Sequence, residues 1–340
     1  MGLIRVEHGK KPDNRSIVHS YASFWCLQRF SFILFLVSVA TKTTCRLCGK
    51  PRLLKNSHII PAFFFRWLKE TSATGFLRFG QRINVRVQDG PKRPWLCSGC
   101  EQRIGDWEKR FADDLFRLIV QESPAPYPYG PWLASFAASV CWRCLTLFQD
   151  EGGLDHLAPD QVSLVPKTLS AWRGFILGKQ RRLGEHQLHF LPMGQTMSWV
   201  GPQPPRNLNR YLTRYVDIDL VRSSGEAFMF VKMGPAIILG FIQGPSKIWR
   251  GTAIDTKPGT VGGHMTVPGG FDEYLFERAN RGLELEAALS KRQKQVIEES
   301  YRRDPDRVSK SSTLDASLTD ATLFRLERPF PCPKGKNHES

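Results

Sequence analysis

Cys45-Arg46-Leu47-Cys48-Gly49-Lys50 and Cys97-Ser98-Gly99-Cys100 are the two segments that decide how this chain folds. Each has the Cys-x-x-Cys spacing with which two thiolates on a tight turn reach one metal ion, and the glycines supply a permissive backbone. Four sulfur ligands close a tetrahedral zinc site of the structural kind, not the catalytic kind. We therefore predict that Cys45, Cys48, Cys97 and Cys100 bind one structural Zn²⁺. The alternative is two unrelated thiol pairs.

The pattern of all eight cysteines also indicates the compartment of the protein. Six of the eight cysteines form three Cys-x-x-Cys pairs, a pattern unlike the disulfide framework of a secreted protein in a chain of this length. We therefore expect an intracellular, cytoplasmic protein. The third pair, Cys141 and Cys144, lies in an apolar helical segment, and we expect two buried thiols there.

Residues 1–42 form an apolar and basic N-terminal extension, for which we predict no defined structure. The apolar run within it covers residues 30–40, and extending it back to residue 24 includes Gln28 and Arg29. A membrane-spanning helix needs about 20 apolar residues with few charges, so this run is short for a span. A membrane anchor through residues 24–40 and a signal peptide remain the alternatives.

Length and charge indicate the class of partner. The chain has 340 residues, which corresponds to about two domains, and 41% hydrophobic residues are enough to build a core. Its net charge is +16, and half of that excess lies in residues 45–120, which hold 15 basic and seven acidic residues. A bias of this kind favours a polyanion, either nucleic acid or an anionic membrane, over a small neutral substrate.

The hydrophobic patterns predict an α+β fold in two parts. Residues 43–122 are predicted as a small zinc-stabilised module with a helix at 59–70, a hairpin within 76–87 and a helix that starts near residue 105. Residues 130–330 are predicted as a larger α+β domain with an antiparallel sheet, followed by a polar tail at 331–340. Its predicted strands cover 216–220, 228–233 and 236–242, and its predicted helices cover 131–149, 283–301 and 314–326. Residues 150–209 show no regular pattern.

The segment Asn56-Ser57-His58-Ile59-Ile60-Pro61 lies between the two cysteine pairs. Here residues 43–120 resemble the HNH (ββα-metal) endonuclease family, many members of which place a His-Ile-Ile-Pro segment between two Cys-x-x-Cys knuckles and a helix after the second. The resemblance implies a metal-dependent endonuclease that hydrolyses the phosphodiester bonds of DNA. It also implies that His58 is the general base that activates water for the attack.

The sequence departs from the family pattern at three positions. Ser57 stands where the family often has an acidic residue or a histidine as a metal ligand. The asparagine that orients the general base has no clear counterpart, and Gln88 and Asp89 are the nearest candidates. Glu101 stands where a final histidine commonly follows the second knuckle. Because a carboxylate can hold a divalent ion, Glu101 is the candidate ligand for a catalytic Mg²⁺ or Mn²⁺.

Basic residues surround the histidine segment, and we predict that they contact the phosphate backbone of nucleic acid without reading its sequence. They are Arg46, Lys50, Arg52, Lys55, Arg86, Lys92 and Arg93. DNA is therefore the expected partner; no small-molecule substrate is evident, and a membrane partner is not favoured. The sequence leaves open whether the C-terminal domain serves target choice, oligomerisation or sensing.

A rival interpretation assigns each of these residues a structural role. His58 is then a capping or core histidine near the zinc, and Glu101 is a carboxylate that the dipole of the following helix favours. Under this interpretation the module is catalytically inactive. It is a zinc knuckle that binds nucleic acid or protein, and Ser57 and Glu101 mark the loss of catalysis.

Overall fold

The computed structural model describes residues 4–7, 43–199, 202–223 and 225–326. The predicted apolar segment 24–40 and the predicted tail 331–340 lie outside the described residues. Among the described helices, none combines the length and the hydropathy that crossing a membrane requires.

The chain folds into helices and mainly antiparallel strands, which confirms the predicted α+β class. The helices are α1 Ala62–Glu70, α2 Ser98–Arg110, α3 Arg117–Val120, α4 Trp132–Asp150, α5 Pro159–Ile176, α6 Leu208–Arg214, α7 Phe271–Ala287, α8 Lys291–Arg303, α9 Pro305–Ser309 and α10 Ser312–Leu326. The strands are β1 Ile4–Glu7, β2 Thr43–Thr44, β3 Pro51–Arg52, β4 Leu54–His58, β5 Leu77–Arg78, β6 Arg86–Val87, β7 Lys92–Cys97, β8 Tyr127–Tyr129, β9 Leu188–Pro192, β10 Val216–Ser223, β11 Glu226–Met233, β12 Ala236–Gln243, β13 Gly259–Val261 and β14 Met265–Pro268.

Two strands and a helix form the frame of the cysteine-rich part. Strands β4 and β7 pair antiparallel, with Leu54 opposite Cys97 and His58 opposite Lys92. Helix α2 follows β7 directly and begins at Ser98, so the predicted start near residue 105 was several residues late. The reason is that the second cysteine pair itself forms the first turn of the helix. A π-helical turn, Phe111–Phe116, then connects α2 to α3.

The four-stranded sheet has the order β10-β11-β12-β9 with every neighbour antiparallel. Its three predicted strands are therefore confirmed. Side chains of β11 alternate between two hydrophobic clusters: Met229 and Val231 face the cluster that includes α4 and α5, and Phe228 and Phe230 face the cluster that includes α6 and α7. The sheet is thus the middle layer between two sets of helices.

Two sequence-based predictions in the C-terminal part were wrong. The stretch 150–209 is not irregular, because it contains α5, β9 and the start of α6. Helix α5 carries Pro166 in its interior, and an internal proline ordinarily predicts a break. The predicted helix 283–301 is two helices. The side chain of Ser290 accepts a hydrogen bond from the Gln293 N–H at 3.3 Å and so begins α8 with an N-cap.

The cysteine-rich part and the C-terminal part share one hydrophobic core. Ile59, Phe64 and Phe111 belong to the same cluster of buried residues as Phe136 and Trp172. The rings of Phe111 and Phe136 stack at 4.0 Å between centroids. The division between 43–122 and 130–330 stays a prediction, and the side chains on its two sides pack together.

Arginines of the C-terminal part bind backbone carbonyls of the cysteine-rich part. They are Arg143 on His58 at 2.8 Å, Arg173 on Leu47 at 2.5 Å, Arg214 on Leu68 at 3.0 Å, and Arg307 on Lys69 at 2.5 Å and on Ser72 at 2.9 Å. Three of these carbonyls lie at the C-terminal end of α1 or just after it, where helix carbonyls lack intrahelical partners. Hydrogen bonds from charged donors therefore join the two parts in addition to the shared core.

Gly240 of β12 allows a close approach between the sheet and the helices beside it. A Cβ atom at this position would lie 2.7 Å from the ring of Trp172 and 2.9 Å from Cβ of Cys141.

We predict that Gly240→Ala lowers the free energy of unfolding by about 1–3 kcal/mol in urea titrations, because overpacking strains a dense core. Gly194→Ala is the control, since nothing lies within 4 Å of its added Cβ. Equal stability of the two variants would contradict the prediction.

Lys232 of β11 is a lysine enclosed in the core. Its Nζ donates to the carbonyls of Tyr211 and Tyr215, and it lies 4.5 Å from the centroid of the Tyr211 ring. Tyr211 belongs to the last turn of α6, so the lysine satisfies a carbonyl that the helix leaves unpaired. Burial lowers the pKa of Lys232 to about 7.

This buried lysine predicts a pH dependence of stability. An unfolded lysine keeps its proton up to about pH 10.4. In the folded chain, Lys232 loses its proton above a pH of about 7. Between this pH and about 10, the unfolded chain therefore holds a proton that the folded chain lacks. The free energy of unfolding should therefore rise with pH, by at most about 1.4 kcal/mol per pH unit from this group. Urea titrations across this window should give a smaller slope for Lys232→Met, and an unchanged slope for Lys167→Met, whose side chain is 63% exposed.

Candidate functional site

Four cysteine side chains converge where the turn between β2 and β3 meets the start of α2. The sulfur atoms of Cys45, Cys48, Cys97 and Cys100 all lie within 4.8 Å of one another, and those of Cys48 and Cys97 are 3.9 Å apart. A Zn–S bond of about 2.3 Å places two ligands of a tetrahedral ion about 3.8 Å apart. The predicted convergence is therefore confirmed, and the cluster has the donor set and the spacing of a structural zinc site.

Backbone N–H groups beside the cluster favour the thiolate of Cys45. Gly49 has φ +74°, a conformation that favours glycine, and its N–H donates to the Cys45 carbonyl at 2.8 Å to close the turn. Burial alone would raise the pKa of the Cys45 thiol, but N–H groups of Cys48, Cys97 and Leu47 outweigh it and lower that pKa to about 7. Burial and the neighbouring sulfurs raise the pKa of Cys100. The pKa values of Cys45 and Cys100 are thus shifted in opposite directions. A bound cation would make all four groups thiolates, because a coordinating thiol is deprotonated.

Ser57 and Glu101, which lie far apart in the sequence, are in contact next to the cluster. The Ser57 hydroxyl donates to Oε2 of Glu101 at 2.5 Å. Ser57 is a buried residue of β4, and Glu101 is a half-buried residue in the first turn of α2. The two positions at which the HNH pattern has metal ligands therefore face each other, and one of them carries a carboxylate.

His58 lies at the end of β4 and contacts Asp89. Its Nε2 is 2.9 Å from each oxygen of the Asp89 carboxylate, which also binds Nζ of Lys92 at 2.7 Å. Burial would raise the pKa of Asp89, but hydrogen bonds from Lys92 and His58 lower it to about 2. A carboxylate only accepts hydrogen bonds, so we assign the imidazole proton to Nε2. Nδ1 of His58 is then the nitrogen that can take up a proton.

Arg143 fixes the backbone at His58, and sequence reasoning missed it. Besides the His58 carbonyl, its guanidinium binds Oε1 of Glu108 at 2.7 Å and the Ser139 carbonyl at 3.2 Å. Only 3% of its side chain is exposed. The available signal was a lone charged residue inside the apolar helix α4. Cys141 and Cys144 of the same helix are buried as expected.

The predicted phosphate-contacting residues divide into two groups. Arg46 pairs with Asp150 at 2.9 Å, Arg93 pairs with Glu151, and Lys92 pairs with Asp89, so acidic neighbours offset these three charges. The others are exposed and make no ion pair with a described residue; they are Lys50, Arg52, Lys55 and Arg86. Of these, Arg86 lies over the ring of Phe76 at 5.2 Å. Among these predicted residues, Lys50, Arg52 and Lys55 are therefore the positive charges without an ion pair to a described residue that lie closest to His58 in the sequence.

Comparison with protein-family models, with curated proteins and with solved structures found no match to this chain. Within the part of the chain that the structure describes, the four cysteines are the only group of three or more His, Cys, Asp or Glu side chains close enough to share an ion. The function is therefore inferred from the geometry around His58 and from the cysteine cluster.

The cysteine cluster predicts the metal content of the protein. Purified under native conditions, the wild-type chain should carry one zinc ion per molecule by mass spectrometry of the metal, and Cys48→Ser should lose it. Cys144→Ala is the matched control, because it removes a buried thiol outside the cluster. Chelation should lower the unfolding midpoint of the wild type, since metal binding and folding are coupled. Zinc-free wild-type protein, or a full zinc content in Cys48→Ser, would overturn the assignment.

Proposed function

We propose that this protein is an HNH-type endonuclease that hydrolyses phosphodiester bonds of DNA. The observation that carries the proposal is the His58–Asp89 pair at the end of β4. Ser57, the preceding residue of the strand, binds the carboxylate of Glu101 at the start of α2. The strand pair β4–β7 and the helix that follows it have the order of a ββα-metal frame. The cysteine cluster joins the turn that precedes this frame to the junction of β7 and α2.

In this proposal His58 is the general base. Asp89 accepts a hydrogen bond from the Nε2–H group and so holds the ring, and Nδ1 takes the proton of the attacking water. The His58 side chain is 18% exposed, which gives a substrate access to the ring. Arg143 holds the carbonyl of the same residue at 2.8 Å, so the base is fixed both at its ring and at its backbone.

Glu101 is the residue that would hold a catalytic Mg²⁺ or Mn²⁺. Magnesium is commonly bound through one or two carboxylates, with substrate phosphates and water completing its shell. Glu101 supplies one such carboxylate, and the Ser57 hydroxyl already binds one of its two oxygens. A divalent ion there would offset the negative charge that develops on the phosphate. Lys50, Arg52 and Lys55 would bind flanking phosphates without selecting a sequence.

A second function has an observation in its favour. Ser57 supplies a hydroxyl where the family pattern has a ligand, and its hydrogen bond already engages Glu101. A site of this composition also fits a catalytically inactive zinc module that binds nucleic acid or protein. The two functions differ in whether the chain cleaves DNA.

A plasmid-nicking assay separates them. With supercoiled DNA and Mg²⁺ or Mn²⁺, wild-type protein should convert the plasmid to the nicked form. His58→Ala should slow nicking by at least about 100-fold, which is the low end of what a general base contributes. Glu101→Gln should also slow it and raise the metal concentration required. His264→Ala is the matched control, because His264 is an exposed histidine in the loop before β14 and should leave the rate unchanged.

The outcomes of this assay are distinct. Equal nicking by wild type and His58→Ala, or no nicking with either ion, would exclude the endonuclease. In the second case the inactive-module function would still require DNA or protein binding. For DNA, fluorescence anisotropy should show affinity that falls steeply with salt, and Lys55→Gln should reduce the slope of log K against log salt by about one.

A further inference from the structure

A cleft of about 430 Å³ opens at one end of the four-stranded sheet. It lies between the hairpin that joins β10 and β11, the segment after β12 and the start of α7. The side chains used below are Glu226, Phe228, Ile248, Trp249 and Phe271, all of which line it. The aromatic ones belong to the core on the α6 and α7 side of the sheet, whereas Ile59, next to His58, belongs to the core on the other side. The cleft is therefore separate from the proposed nuclease site.

Three aromatic rings line this cleft at steep angles to one another. The ring of Trp249 is 5.3 Å from that of Phe271, at 79°, and 6.0 Å from that of Phe228, at 81°. The faces of aromatic rings carry negative potential, which attracts cations. The exposed fractions of Phe228, Trp249 and Phe271 are 3%, 7% and 3%, so the cleft reaches only part of each ring.

Glu226 adds a full negative charge to the same cleft. Its residue exposure is only 9%. Its Oε1 accepts the Ser246 N–H at 2.6 Å, and its Oε2 accepts the indole N–H of Trp249 at 3.3 Å. Both donors are neutral, and no lysine, arginine or histidine of the described residues forms an ion pair with this carboxylate. A charge removed from water is ordinarily paired with an opposite charge, so Glu226 lacks a counter-ion within this part of the chain.

We propose that this cleft binds the methylated ammonium group of a small molecule. The carboxylate and the aromatic rings attract a positive charge, and each carboxylate oxygen already accepts one N–H of the protein, so a further donor would have to share it. A primary ammonium brings three donors that need acceptors, whereas a methylated ammonium needs none and contacts the rings through its methyl groups. The cleft volume falls in the usual range for ligand pockets and leaves room for the remainder of a small ligand.

Titration calorimetry of the full chain tests the proposal with choline as the probe. Its neutral isostere 3,3-dimethylbutan-1-ol has the same shape without the charge, and ethanolamine has the charge without the methyl groups. Choline should bind at least about tenfold (about 1.4 kcal/mol) more tightly than either, since it alone combines the positive charge with methyl groups that contact the rings. Equal affinity for choline and the isostere, or no choline binding at millimolar concentration, would overturn the proposal.

Two substitutions locate the binding in the cleft. Glu226→Gln removes the charge and should weaken choline binding at least about tenfold. Ile248→Lys places an ammonium group of the protein beside Glu226; Ile248 is 40% exposed, so this variant should fold with an unchanged unfolding midpoint and lose choline binding. Glu185→Gln, at a side chain that is 78% exposed, is the control and should bind as wild type. Choline binding that survives in a folded Ile248→Lys variant would place the ligand elsewhere and overturn the assignment. None of the three variants should alter plasmid nicking.

Discussion

Four sulfur atoms within 4.8 Å of one another are the constraint on which the geometry around His58 depends. One pair lies in the turn before β3, which leads into β4, and the other pair forms the start of α2. The relative placement of His58 and Glu101 therefore follows from the distance between two tight turns. Thiolates this close repel one another, and a zinc ion that joins them contributes about 10–16 kcal/mol in small zinc-binding peptides. Energy on that scale equals the stability of a whole domain, so a few residues of turn can fix the positions of the strand and helix around them.

The C-terminal part supports the same geometry from the opposite side. Arg143 extends from α4 to the carbonyl of His58 and to the carboxylate of Glu108. A buried ion pair of this kind adds little net stability relative to apolar side chains, because desolvation offsets the attraction. Its effect is on position: the guanidinium has a fixed planar arrangement of donors and accepts few alternative geometries. His58 is thereby held by the cysteine-rich part through its strand and by the C-terminal part through its carbonyl.

The sequence predicted those features in which local pattern and structure coincide. Cysteine spacing predicted the cluster, and alternation predicted the strands β10, β11 and β12, because in both cases the information lies within a few residues. Helix α5 escaped prediction since Pro166 lies within it, and Asp89 was only one of two candidates because its pairing with His58 spans 31 residues. The partners of Arg143 lie 85 and 35 residues away along the chain. The cleft around Glu226 is assembled from three separate segments, and no local pattern encodes it.

The stacking of Phe111 on Phe136 limits how this chain can be divided or recombined. A fragment that ended near residue 122 would keep Phe63, Phe111 and Phe116 but lose α4, the helix that covers Phe111. Contiguous aromatic surface exposed in this way drives proteins to associate. The smallest fragment that could be expressed or transferred without exposing the ring of Phe111 therefore includes α4. Gene fusions that exchange the C-terminal part would have to retain that helix, so the two halves are expected to change together.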